Sequence, residues 1–130
     1  MTTDPISDFI ICLKNGAAVR KPAVTTGFSN LKLAVAEKLI ALGFIKSAVK
    51  KGKKTRKNLE IELAYQNGRP RLTGVRRLSK SSRRLYLGAR RIWPFRQGYG
   101  QIILTTSRGI LTGDEARAAK IGGEPLFKIW

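Results

Sequence analysis

The sequence predicts an α+β fold in two small subdomains: residues 1–66, helix-rich with a short β-sheet, and residues 67–130, an antiparallel β-sheet with one short helix. Three observations predict it. Apolar residues recur at helical spacing mainly in the first third of the chain. Short apolar runs bounded by turn residues fill most of the remainder. Asn67-Gly68 followed by Pro70 marks a break between the two patterns.

The first element is a helix opened by Asp4 as N-cap and Pro5 at the first helical position, with Ile6, Phe9, Ile10, Leu13 and Ala17 as its apolar stripe. Cys12 and Lys14 lie beside that stripe, and Gly16 is expected to weaken the last turn. A second helix runs from a Ser29 cap through Leu31, Val35, Leu39 and Leu42 to Gly43, which suits a left-handed stop. Phe44–Val49 and the alternating Leu59, Ile61, Leu63 and Tyr65 form a hairpin whose tip is the basic run Lys50–Lys57. Residues 72–78, 83–89 and 101–106 read as further strands. Thr112 with Glu115 three residues on is a capping box for a helix through Ala116–Lys120, which Gly122-Gly123 ends. Glu124–Trp130 closes the sheet.

Charge narrows the function. The 130 residues hold 26 Lys plus Arg against 8 Asp plus Glu, a formal net charge of +18, which a polyanion would match. The excess is not a detachable tail, since residues 1–65 carry 12 basic and 5 acidic side chains and residues 66–130 carry 14 and 3. Arg dominates the second half, and its planar fork suits phosphates and bases. No apolar run approaches the length of a membrane span, so no membrane partner is expected. With no histidine and Cys12 the single cysteine, neither a disulfide framework nor a usual zinc site can be assembled, and no cofactor is expected. The close acidic pairs Asp4/Asp8 and Asp114/Glu115 fall in first helical turns, where capping and the helix dipole account for them. Catalysis therefore has no visible site, and the chain is expected not to be an enzyme.

Four groups of residues suit nucleic acid. The tip lysines, Lys53 and Lys54 among them, can neutralise phosphates or simply solvate a turn. Arg77, Lys80, Arg83 and Arg84, with Arg76, flank two expected strands, and Tyr86 just beyond either stacks on an unpaired base or packs inward. Thr105-Thr106-Ser107-Arg108-Gly109 gathers three hydroxyls and a guanidinium at a strand end, as a recognition loop or as an ordinary turn. Arg90, Arg91, Trp93, Arg96 and Tyr99 interleave basic and aromatic residues. Gly98-Tyr99-Gly100 is too short for a dinucleotide fingerprint. On these grounds the alternatives are a specific RNA-binding structural protein and a general basic nucleic-acid-binding module or RNA chaperone.

An ordered set of short motifs goes further. Asp4-Pro5-Ile6-Ser7-Asp8 with Lys14-Asn15, then Ser29–Lys32 and Gly43-Phe44-Ile45, resemble the first half of the S8 family of small-subunit ribosomal proteins. Thr73-Gly74, Arg77-Leu78-Ser79-Lys80 and Arg84-Leu85-Tyr86 resemble its middle segment. Leu104–Gly109, Thr112, Glu115-Ala116-Arg117 and Gly122-Gly123-Glu124 resemble its C-terminal signature. The resemblance implies a ribonucleoprotein constituent that binds a stem in the central domain of small-subunit rRNA early in assembly, beside neighbouring small-subunit proteins. It implies that Thr105, Thr106, Ser107 and Arg108 contact an irregular region of that stem, with Tyr86 as the matching aromatic and Glu124 as the matching acid. Several members also bind the messenger RNA of their own operon. The opening, polar and acidic at Met1-Thr2-Thr3-Asp4-Pro5, fits neither a secretory signal nor an Arg-rich transit peptide, and the expected place is the cytoplasmic ribosome, an organellar one staying open. The sequence departs from the family at Ser81-Ser82 (Pro-Gly), Thr105 (Ser), Cys12 (a basic residue) and Gly27 (a common proline).

Overall fold

The structure, a computed structural model, describes residues 5–53, 56–78, 85–92 and 100–130, without the side chains of Pro5, Lys53, Arg56 and Arg91. By their internal contacts the residues group into two compact units, 1–73 and 74–130.

In the first unit, α1 (Pro5–Ala18) buries the expected stripe of Ile6, Phe9, Ile10, Leu13 and Ala17. Asp4, the expected cap, lies outside the described residues. Gly16 does more than weaken the helix: a Cβ there would overlap the Val24 side chain, so the missing side chain lets strand β1 (Ala23–Gly27) lie close against the helix. That strand is unanticipated, although β-branched Val24, Thr25 and Thr26 between Pro22 and Gly27 carry its signal. Helix α2 (Asn30–Leu42) starts and stops as expected, with Ser29 accepting a hydrogen bond from the Lys32 amide at 3.1 Å and Gly43 left-handed at φ 88°. It buries Val35, Ala36 and Leu39, whereas Leu31 is exposed.

Strands β2 (Ile45–Lys53) and β3 (Arg56–Leu63) pair antiparallel, and β1 lies on the other side of β3, giving the order β1-β3-β2. Leu59, Ile61 and Leu63 alternate into the core as expected. The basic tip is shorter than the sequence suggests, because Lys50–Lys53 and Arg56–Lys57 continue the ladder. Tyr65 belongs to a separate two-residue strand, β4 (Tyr65–Gln66), paired with β5 (Arg69–Pro70). Asn67 and Gly68, at φ 55° and 76°, form the turn between them, both central residues left-handed as a tight hairpin needs.

The second unit is a four-stranded antiparallel sheet of β6 (Val75–Arg77), β7 (Gln101–Thr106), β8 (Gly109–Thr112) and β9 (Glu124–Ile129), in the order β6-β9-β7-β8. One face carries Ile102 and Leu104, covered by Ile92 and by Ala116 of α3 (Gly113–Ala119), with Leu78, Leu87 and Leu111 around them. On the opposite face Ile103, Phe127 and Ile129 are fully buried.

The capping box forms in both directions: the Glu115 amide donates to Thr112 Oγ1 at 3.2 Å and the Thr112 amide to Glu115 Oε1 at 3.0 Å. Helix α3 ends differently from expectation. Lys120, left-handed at φ 56°, closes it by donating its amide to the Ala116 and Arg117 carbonyls, which leaves Gly122-Gly123 for another task. Of the expected strand 72–78, Val75–Arg77 form the ladder, and Gly74 with Trp130 and Leu78 with Leu126 add backbone hydrogen bonds at its ends. Of the expected strand 83–89, residues 83 and 84 lie outside the described residues, Leu87 makes an isolated bridge to Gly123, and Ala89–Arg91 form a 3₁₀ turn.

Candidate nucleic-acid interface

Strand β7 carries Thr105 and Thr106 to its end, and Ser107-Arg108 make the turn into β8. Gly109, paired with Thr106 at the end of the turn, takes the left-handed conformation, φ 96°, that glycine adopts without strain. The three hydroxyls are not equivalent. Thr106 Oγ1 donates to the Gly109 carbonyl at 2.8 Å and accepts from the Arg108 amide at 3.1 Å, so it shapes the turn. Ser107 and Arg108 are exposed, and Thr105 is half-buried. The turn thus presents one serine hydroxyl and one guanidinium to solvent on a locally fixed backbone.

Gly122-Gly123 bring the other parts to this strand end. Leu87 and Gly123 exchange backbone hydrogen bonds of 2.8 and 2.9 Å. A Cβ on Gly122 would sit 2.5 Å from the Leu87 carbonyl and 3.0 Å from the Tyr86 hydroxyl. One on Gly123 would sit 2.5 Å from the Thr105 carbonyl. These separations are too short for carbon, so the pair is the point where the 85–88 segment and β7 both close on β9. Glu124, the next residue, stands opposite Thr105 in the β7–β9 ladder.

Tyr86 is 73% exposed, so it does not pack inward. An exposed phenol beside a polar strand end offers a face for a base together with a hydroxyl for hydrogen bonding. Tyr86, Thr105, Thr106 and Glu124 therefore share one neighbourhood, with Ser107 and Arg108 at the adjoining turn.

The cations distribute less simply. Arg77 stands opposite Phe127 and donates from its guanidinium to the Leu126 carbonyl, which commits part of it to the fold. Arg76, exposed, stands opposite Lys128, a cross-strand pair of cations that sequence separation conceals. Lys53 ends β2 in the first unit. Lys54, Lys80, Arg83 and Arg84, and also Trp93, Arg96 and Tyr99, lie outside the described residues. Among the described residues no group of His, Cys, Asp and Glu could hold a metal ion, and no helix is long and apolar enough to cross a membrane.

Comparison with known proteins decides the family. The model of the family Ribosomal protein S8 matches residues 4–130. The chain belongs to that family. It is 38% identical over 128 residues to the small ribosomal subunit protein uS8 of Mycoplasmopsis agalactiae, covering 98% of each chain. It is 40% identical to the uS8 protein of Persephonella marina over the whole of both chains. To that of Xylella fastidiosa it is 40% identical across 95% of each. As a member of this family it is a structural ribosomal protein and not an enzyme.

Proposed function

We propose that the chain binds directly to a stem in the central domain of small-subunit rRNA and helps the subunit assemble, with residues 67–130 carrying the recognition surface. The supporting observation is the convergence of Tyr86, Thr105 and Glu124 around Gly122-Gly123, next to the exposed Ser107-Arg108 turn. Phosphate contacts give affinity without choice, while neutral hydroxyls, an aromatic face and one acceptor carboxylate discriminate shape and base edges. Glu124 has a particular use here. A carboxylate repels the phosphate backbone, so it tolerates only an approach that places base or sugar donors in front of it.

In this reading Arg77, Lys80, Arg83 and Arg84 hold the backbone around the stem, and Lys53 and Lys54 reach a phosphate from the first unit. The working place is the small subunit of the cytoplasmic ribosome, beside neighbouring small-subunit proteins. A messenger RNA of its own operon that copied the same irregular stem would compete for the same surface.

Hydroxyl-radical footprinting of naked small-subunit rRNA with the purified protein tests this. Protection is expected on a single central-domain stem at limiting protein. Protection spread over many helices at the same concentration would replace the reading with a general basic binder.

A further inference from the structure

The β2–β3 hairpin is electrostatically two-faced. In its register Ser47, Val49 and Lys51 stand opposite Glu62, Glu60 and Asn58, whereas Ala48, Lys50 and Gly52 stand opposite Ile61, Leu59 and Lys57. Charges on the first side are neutralised, with Lys51 Nζ 3.1 Å from Glu60 Oε2. Lys46 at the nearby bulge is likewise matched, 3.4 Å from Glu62 Oε1. The second side has no such partner: among the described residues no carboxylate pairs with Lys50 or Lys57.

That second side is nevertheless organised. Lys50 Nζ lies over the Phe28 ring, 4.6 Å from its centre, and the Phe28 amide donates to the Lys57 carbonyl at 3.1 Å. Phe28 thus fixes one lysine through its ring and adjoins the strand of the other through its backbone. Gly52, directly across from Lys57, adds no side chain to the space between them. Lys50 stands opposite Leu59, two residues from Lys57, so the two lysines are diagonal neighbours on one face of the ladder, and Lys57, by hydrogen bonding and repulsion, pushes the Lys50 pKa down. Two cations held together without an anion form an arrangement that a bound anion relieves.

We infer that Lys50 and Lys57, steadied by Phe28, together hold a single phosphate of an RNA backbone at a contact in the first unit, additional to the hydroxyl turn of the second. This rests on the RNA-binding reading above. A phosphate suits the pair because its oxygens can accept from two ammoniums at once.

The test uses the full chain and the rRNA fragment it binds, titrated across a salt series for wild type, Lys50→Gln, Lys57→Gln, the double variant and Lys51→Gln. The double variant should lower the slope of log affinity against log salt by about 0.7–0.9, the value of one phosphate, and cost about 5- to 8-fold in affinity at 0.1 M salt. Each single variant should lose part of that, and Lys51→Gln should match wild type. An unchanged slope in the double variant overturns the inference, as does a fall equal to two phosphates or an equal loss in Lys51→Gln. Wild type that binds no fragment would instead overturn the functional reading as well. If the double variant binds RNA normally but joins partly assembled subunits poorly, the pair meets a neighbouring protein's carboxylate and the phosphate assignment is wrong.

Discussion

Tyr86 and Ser107 are the residues at which the proposed recognition can be tested apart from folding. Tyr86 is 73% exposed and Ser107 sits on an exposed turn, so neither contributes much to the core. Tyr86→Ala should therefore cost about 1–3 kcal/mol of RNA binding, the value of one base stacked on an aromatic, with an unchanged melting temperature. Ser107→Ala should cost a similar amount if its hydroxyl is desolvated against the RNA, about 1–3 kcal/mol in a filter-binding titration. A loss below a few tenths would remove Ser107 from the surface. Thr106→Ala should differ from both, because losing two local hydrogen bonds loosens the turn itself. Cys12 belongs to a different account. Burial raises its pKa, against the opposing pull of Lys32 and Lys21, and its thiol donates to the Thr25 carbonyl at 3.6 Å. Its alkylation rate should rise with pH through a midpoint above the ordinary thiol value of 9.0, and denaturant should move that midpoint down. A midpoint at or below the ordinary value would contradict its half-buried placement.

Among the elements, the ends of helices and the close approaches decide stability. The reciprocal cap at Thr112 and Glu115 should make Thr112→Ala cost about 0.5–2 kcal/mol in chemical denaturation. Gly16→Ala sets two effects against each other: a helix gains about 1 kcal/mol from alanine, but a Cβ overlapping buried Val24 costs about 1–3 kcal/mol. The overlap should win, and the variant should melt lower than wild type. The elements legible in the sequence were those whose signal is local: Ser29 and Gly43 bound α2, and Thr112 with Glu115 opens α3. Strand β1 was less legible because five residues following a helix give too short a period, and its partner β3 lies more than thirty residues away. Gly122-Gly123 looked like a helix stop because sequence shows a missing side chain, not the neighbour it admits. What admits that neighbour is long-range packing against Leu87 and Thr105, and no local pattern encodes it. Half of the candidate site was legible for the same reason. The Thr105–Arg108 run is contiguous, whereas its proximity to Tyr86 and Glu124 depends on the sheet.

For the whole molecule, RNA binding in the proposed reading divides between the net charge of +18 and a small surface of hydroxyls, one aromatic, one guanidinium and one carboxylate. Charge binds any polyanion and weakens with salt through counterion release. On the proposed reading, the surface around Gly122-Gly123 adds contacts that only one arrangement of bases and sugars can meet, and these depend less on salt. The measurement that tests this division most directly is a titration of the purified protein against small-subunit rRNA fragments and an equal-length duplex DNA over a salt series. A preference of at least about 10³ for one central-domain stem, retained as salt rises, is the predicted result. Affinity curves that fall in parallel for every RNA and for the DNA would contradict it, leaving the protein with charge but no recognition of its own.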